Sequence, residues 1–166
     1  MKFAQPILKF ALLIVVAVGL WIFLFPAPEK VIRKKLEKLA QTVSENPQGN
    51  ISRVANVNRI GSFFHPKISI NLEGFGREVA SINGRGELEQ MALGVRQNNF
   101  RISVRFSTIH IVVDADESNA TAIVGAEVKL NEQAEPIVQD LHVRLEKVDR
   151  AWLIRSVEPA KAFKVE

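Results

Sequence analysis

Three histidines and a set of scattered carboxylates are the residues that could carry acid–base chemistry in this 166-residue chain. His65 stands before a proline in a predicted loop. His110 and His142 occur within alternating apolar and polar runs, at positions that face away from the apolar side. An imidazole on the solvated face of a sheet lacks the surroundings that tune an acid–base group. We therefore predict structural or surface roles for these side chains and no catalytic residue.

Metal and cofactor chemistry has little support in the sequence. The chain contains no cysteine, which excludes a disulfide framework, a thiolate nucleophile and a cysteine-type zinc site. No spacing of His, Asp and Glu resembles a metal-binding motif. The Gly-x-Gly pairs at 74–76 and 84–86 lack the strand–glycine–helix context of phosphate loops, and no Gly-Lys-Ser/Thr is present. We expect neither a metal nor a cofactor.

Four arginines could form a receptor for an anion. Arg101 and Arg105 share one strand face, and Arg144 and Arg155 lie on later strands. The alternative, which we favour, is cross-strand pairing with acidic residues, worth about 0.2–1 kcal/mol per pair. The acids available for that pairing are Glu127, Glu146 and Glu158.

Any such side chains must be positioned by the stretch from Phe100 to Val157, which contains four runs of alternating apolar and polar residues. The period of two predicts four strands, and the short polar breaks between them predict an antiparallel meander. In the first run the apolar parity changes after Phe106. Because an alternating strand cannot change parity without an extra residue, we predict a β-bulge near 107–108.

Upstream of the sheet, apolar residues recur at spacings of three and four in three segments. These segments predict helices over Glu29–Glu45, over Asn50 to about Ile60, and over Glu87–Asn98. A short strand is predicted at Lys67–Leu72, with a hairpin partner at Glu78–Ile82. The sequence thus predicts an α+β domain at residues 29–166.

Residues 1–28 read as a short tail and a transmembrane anchor. The span between Pro6 and Pro26 has 19 residues and only one charge, Lys9. At ~1.5 Å per residue it is about 28 Å long, close to the thickness of a bilayer core. A cleaved signal peptide is the alternative, but small residues are missing where a cleavage site would need them. We expect a single-pass protein of the inner (plasma) membrane.

Basic residues flank that span on both sides. From residue 39 onward the chain has 15 Lys or Arg and 16 Asp or Glu, so the net charge of +4 comes from the membrane flanks. We therefore expect no nucleic-acid partner. The richer downstream flank would favour a cytoplasmic domain, but a short basic tail before an apolar run is the usual export signal, so we favour a periplasmic (extracytoplasmic) domain. That downstream flank consists of Lys30, Arg33, Lys34, Lys35 and Lys38.

The order of elements, with three local motifs, resembles the nuclear transport factor 2-like superfamily (NTF2-like, also SnoaL-like or cystatin-like). Residues 64–68 look like the entry into its first strand, 83–88 like the entry into its third helix, and 145–154 like its last hairpin. The likeness covers residues 29–158. It implies a cone in which a curved antiparallel sheet wraps around three helices. Enzymes, transport factors and membrane-anchored scaffold subunits share this fold, so the fold does not fix the function.

Enzymes of the superfamily that this chain resembles hold an acid–base residue inside the cone, often beside a tyrosine that donates a hydrogen bond. This chain has no tyrosine, which removes that oxyanion donor. Residues that could line the cone cavity, or fill it as packing, are Met91, Phe106, His110, Trp152 and His65.

Three functional hypotheses follow. The first is a membrane-tethered, non-catalytic binding or scaffold module that meets a protein partner or forms a homodimer through its sheet. The second is a small-molecule-binding protein or SnoaL-like enzyme that uses the cone cavity. The third is a lipid-surface sensor that uses the basic flank. A cavity of at least roughly 300 Å³ with converging polar groups would favour the second, and a filled cone would favour the first.

Overall fold

The computed structural model describes residues 26–71, 81–98, 100–131 and 135–160. Helix α1 covers Pro28–Ser44, α2 covers Asn50–Gly61 and α3 covers Arg85–Gln97. Six strands form one sheet. They are β1 Phe64–Asn71, β2 Ser81–Asn83, β3 Ile102–Val113, β4 Asn119–Leu130, β5 Ile137–Val148 and β6 Ala151–Pro159.

The sheet has the strand order β2-β1-β6-β5-β4-β3. Strands β3 to β6 form the predicted antiparallel meander, and two residues with positive φ, Asp149 and Arg150, make the tight turn between β5 and β6. The predicted bulge is confirmed, because the β3–β4 register shifts between Phe106 and Thr108. A second shift lies opposite Arg144 in the β5–β6 pair. Bulges bend the strands that carry them and so curve the sheet around the helices.

The prediction of an entirely antiparallel sheet is wrong at one junction. Strand β1 runs parallel to β6, with Phe64 opposite Ile154 and Ile70 opposite Val157. The meander fixes the direction of β6, and no tight turn links β1 to it. Strand β2, helix α3 and three further strands lie between them in the chain, so their relative direction is set by the path of that connection. The fold is therefore an α+β fold with a mixed sheet.

One core fills the space between α1, α2 and the inner face of the sheet. It begins on α1, where Pro28 in the first turn pre-sets the helical φ and the apolar stripe of Ile32, Leu36 and Leu39 is buried. The sheet contributes small residues from β4 and larger ones from β1 and β6. The buried residues of the sheet include Ile68, Ala120, Ala122, Val124, Val143, Leu145, Trp152 and Ile154.

Helix α1 also covers the free edge of the sheet. The Oγ of Ser44 accepts a hydrogen bond from the backbone N–H of Val104 at 2.8 Å, and Nη2 of Arg33 donates to the carbonyl of Ile109 at 2.8 Å. Both backbone groups belong to β3, the last strand of the sheet. Unpaired edge groups invite pairing with other chains, so these two side chains partly protect the edge.

The predicted membrane anchor falls almost entirely on residues 1–25, which lie outside the described residues. Among the residues that are described, no helix has the length and apolar character needed to cross a membrane.

Candidate functional site

The inner face of the cone is occupied by packing side chains. Trp152 on β6 is buried in the core, and Phe106 on β3 is partly buried against it. Lys147 lies opposite Trp152 in the β5–β6 pair, and its ammonium stands 5.6 Å from the centroid of the indole ring. Two of the five predicted cavity residues therefore lie on the inner side, at different ends of the sheet, where they act as packing.

The other three predicted cavity residues lie elsewhere. Met91 on α3 is 37% exposed, so its side chain is only partly covered. His65 is half-buried at the start of β1, where its Nδ1 accepts a hydrogen bond from the backbone N–H of Lys67 at 3.0 Å. His110 is exposed on the outer face, opposite Ile123 of β4, as its parity after the bulge predicts. The structure does not bring these three side chains together.

Apolar side chains are exposed on the outer face beside His110. Val112 on β3 is 56% exposed and Ile123 on β4 is 41% exposed. In the sheet register Ile123 lies between His110 on one neighbouring strand and His142 on the other. We call Val112, Ile123, His110 and His142 the outer patch. It is an exposed surface with an apolar centre and an imidazole on each side of Ile123.

A cavity of about 270 Å³ lies at the beginning of β3. Ser44 and Asn46, at the end of α1, form one wall, and Ile102 of β3 supplies an apolar part of the lining. Lys129 and Asn131 bring polar groups from the end of β4. The cavity therefore combines a small volume with several hydrogen-bonding groups at the edge of the sheet, outside the filled core.

A buried polar cluster ties the three helices together, and the sequence reasoning missed it. Arg96 on α3 is only 4% exposed, and its Nη2 donates to the carbonyl of Val43 on α1 at 2.6 Å. Asn56 on α2 donates to the carbonyl of Thr42 and to the carboxylate of Glu45. Burial lowers the pKa of Arg96, and the nearby charge of Glu45 acts in the opposite direction. The sequence did contain a signal for this burial. Arg96 lies four residues after Ala92, on the side of α3 that carries its apolar residues.

The basic flank divides into two groups in the structure. Arg33 is engaged with β3, and the ammonium of Lys35 stands 5.7 Å from the centroid of the Phe63 ring. Burial lowers the pKa of Lys35. The remaining three, Lys30, Lys34 and Lys38, are exposed and recur every four residues, so they lie along one face of α1.

The four arginines of the predicted anion receptor are also separated. Arg105 lies directly opposite Glu127 in the β3–β4 register, and Nε of Arg155 stands 3.5 Å from the carboxylate of Glu146. The pairing alternative therefore accounts for Arg155, whereas Arg105 faces Glu127 without forming an ion pair with it. Arg144 on β5 has no ion pair among the described residues, and β4 separates it from β3. The described part of the chain holds no cluster of three or more potential metal ligands.

Comparison with known proteins identifies the fold. No protein-family model matches the sequence. No curated protein matches it either. Solved structures do match: an NTF2-like protein of unknown function from Pseudomonas putida KT2440 is 12% identical, with a TM-score of 0.59 over 83% of this chain and 89% of that chain.

Two further structures agree with that match. A protein of unknown function with a cystatin-like fold from Nostoc punctiforme is 12% identical, with a TM-score of 0.58 over 86% of this chain and 98% of that chain. A protein provisionally named a scytalone dehydratase, from Novosphingobium aromaticivorans, is 15% identical, with a TM-score of 0.59 over 81% and 83%. At these identities the matches show the fold alone, and they confirm the NTF2-like, cystatin-like architecture that the motifs predicted.

Proposed function

We propose that this protein is a membrane-tethered, non-catalytic binding or scaffold module of NTF2-like fold, which acts through the outer face of its sheet. The observation that carries the proposal is the outer patch. Val112 and Ile123 are large apolar side chains on the solvent side of neighbouring strands, while the inner side is already filled by the core. Interfaces use such surfaces, with an apolar centre and a polar surround.

The geometry of the patch suits a protein partner. Val112 and Ile123 lie diagonally across the β3–β4 pair, because the direct neighbour of Val112 is Thr121. Neighbouring side chains at that spacing form a continuous surface on a sheet. A second copy of the same chain could present the same patch to it across a two-fold axis, because a two-fold interface is self-complementary.

The filled interior supports a non-catalytic role. Catalysis in a cone cavity needs an acid–base group that is held close to a bound substrate. The described charged or polar residues with buried side chains are Thr42, Asn56 and Arg96, and they join the helices to one another. His110 and His142 lie on the outer face. The inner side of the sheet is therefore occupied by the apolar side chains of the core.

The tether is the N-terminal apolar segment, and we propose that it crosses the inner membrane with the domain exported. Tethering confines the domain to the membrane surface and raises its effective concentration, so that a weak sheet interface suffices. Two measurements check this part. The full-length protein should remain in the membrane fraction after carbonate washing, and alkaline phosphatase fused after Glu166 should be active. An inactive fusion would place the domain in the cytoplasm.

The interface is tested by a charge at the centre of the outer patch. We expect Ile123→Asp to abolish self-association, or capture of a partner, in cross-linking of the full-length protein in membranes. The matched control is Ile51→Asp, since Ile51 on α2 is 88% exposed and lies away from the sheet. An unchanged cross-linking pattern in Ile123→Asp, or an equal loss in both variants, would refute the outer patch as the interface.

A small-molecule-binding role is the second candidate. The observation that favours it is that Leu130 and Ile137, two inner-face residues at one end of the sheet, stay exposed although they lie beside the buried inner face. An apolar ligand could bind there, next to the 270 Å³ cavity. Displaceable binding of an apolar fluorescent dye, lost in Ile137→Asp and kept in Ile123→Asp, would favour this candidate over the first.

The basic flank supports a further part of the tether proposal, contact with anionic lipid. Lys30, Lys34 and Lys38 share the exposed face of α1, just after the predicted anchor. Each lysine near an anionic surface contributes about 1 kcal/mol. Replacing these three by Gln should weaken binding of the protein to anionic lipid, whereas Lys35→Gln should not, because Lys35 packs over Phe63.

A further inference from the structure

A groove of about 590 Å³ crosses the outer face at the other side of the sheet, among β2, β1, β6 and β5. We call it the outer groove. It adjoins the outer patch at His142 of β5, which lies opposite Glu158 of the groove, and extends from there towards β2, away from Val112 and Ile123. Its volume exceeds that of a bound water or a simple ion and is within the range of small-molecule sites.

The floor of the outer groove is a row of hydrogen-bonding side chains. In the sheet register Arg144 of β5 lies opposite Ser156 of β6, Ser156 opposite Ser69 of β1, and Ser69 opposite Asn83 of β2. The sheet therefore places four groups that can donate hydrogen bonds side by side across four strands. Residues in register on one face lie about 5 Å apart, so one ligand can reach several of them.

Positive charge in the groove is only partly neutralised. Arg155 is paired with Glu146 at 3.5 Å. The side chains of Lys67 and Arg144, which also line the groove, make no ion pair within the described part of the chain. Glu158 supplies one carboxylate to the lining. An oxyanion at the arginine end of the groove would thus meet uncompensated cations.

The hydroxyl of Ser156 is a second, independent indication that the outer groove binds a ligand. Its Oγ is shielded from solvent and has no hydrogen-bond partner among the described residues. An unpaired buried hydroxyl is costly, and a ligand oxygen would supply the missing acceptor. The neighbouring Ser69 already donates to the side-chain oxygen of Asn83 at 3.3 Å.

We propose that the outer groove binds a phosphate ester whose other end carries a hydroxyl or an amine. The guanidinium of Arg144 would hold two phosphate oxygens in its planar fork, Lys67 would add charge, and Ser156 would donate to a third oxygen. Glu158 would repel a second anionic group and accept a hydrogen bond from the hydroxyl or amine. Both a free polyol phosphate and a glycerol-type lipid headgroup have this chemistry.

The experiment titrates the full-length protein, in neutral detergent, with glycerol phosphate by calorimetry. A second arm measures binding to phosphatidylcholine vesicles with and without phosphatidylglycerol, in a background with Lys30, Lys34 and Lys38 replaced by Gln, so that the basic flank does not contribute. We expect Arg144→Gln to weaken the binding at least about tenfold, as loss of a charge-assisted contact does. The matched control is Arg105→Gln, on the same face of the sheet but outside the groove, and it should change binding less than about twofold.

Ser156→Ala separates binding from folding. Because the Oγ has no partner in the free protein, its removal should leave the unfolding midpoint unchanged or raised, yet weaken binding several-fold. Binding in only the free arm, or in only the vesicle arm, would identify the source of the phosphate ester. Absence of binding in both arms, equal binding by Arg144→Gln, or an equal loss in Arg105→Gln would overturn the proposal.

Discussion

Replacing Arg96 by Ala should be among the most destabilising single substitutions in the helical layer. Arg96 is 4% exposed, and its Nη2 donates to the carbonyl of Val43, in the last turn of α1. The last carbonyls of a helix have no partner within the helix, so they need an external donor. The Nη1 atom of the same group has no partner among the described residues.

The expected magnitude follows from opposing contributions. Loss of the charged hydrogen bond, with the Val43 carbonyl left unpaired, costs about 1.5–3 kcal/mol. The cavity left by the side chain adds about 1–2 kcal/mol. The variant regains part of the desolvation cost that lowers the Arg96 pKa. We therefore expect the free energy of unfolding to fall by about 3 kcal/mol.

The assay is urea unfolding of the full-length protein, followed by circular dichroism, with Arg59→Ala as the control. Arg59 pairs with the same Glu45 at 3.0 Å, but both side chains are substantially exposed. Such a pair contributes about 0–1 kcal/mol. Arg96→Met should lose less than Arg96→Ala, because it keeps most of the packing. Equal losses in Arg96→Ala and Arg59→Ala would refute the claim that burial decides the cost.

Three further predictions concern the sheet. Ser44→Ala should cost about 1–2 kcal/mol of unfolding free energy, measured in urea, because the N–H of Val104 loses its acceptor at the edge of β3. Gly125→Ala should cost about 1 kcal/mol, since a Cβ there would stand 2.7 Å from Oγ of Ser107 and displace its hydrogen bond to the Gly125 carbonyl. The cost should shrink in a Ser107→Ala background, and an unchanged cost would contradict this account. Hydrogen bonds from Ser118 to the carboxylate of Asp116 lower the pKa of that carboxylate below its ordinary 3.8. The ionised carboxylate therefore stabilises the fold above pH 3.8, and this stabilisation is lost as the pH falls through the lowered pKa. Asp116→Asn should reduce the acid-side slope of the unfolding midpoint, and an unaltered slope would contradict that assignment.

Much of the sheet was predictable because alternation reports directly which side of a strand is buried. The bulge between Phe106 and Thr108 is the clearest case, since a change of parity within one strand has one simple geometric explanation. The turn at 149–150 was also predictable from its position between two alternating runs. Both features are local, so a single segment of sequence contains the information.

Features that depend on distant parts of the chain were not predictable in the same way. The parallel pairing of β1 with β6 depends on where a long connection returns, and no local pattern encodes it. Met91 belongs to an amphipathic stripe, but α3 packs mainly on α2 and more lightly on β1 and β2, so the stripe is only partly covered. The outer groove likewise requires the register of four strands, which brings Arg144 beside Ser156.

The position of β6 constrains how the domain can be made. This strand joins β1 to the rest of the sheet, yet it is encoded at the C-terminal end of the described chain. A nascent chain that has reached only Val148 has the β1–β2 hairpin and the β3–β5 meander but lacks the strand that joins them into one sheet. Long-range pairing of this kind is slow and leaves strand edges unprotected until it is complete. The domain therefore has to finish folding after nearly all of it has left the ribosome, and a premature stop within β6 should yield two half-sheets that aggregate.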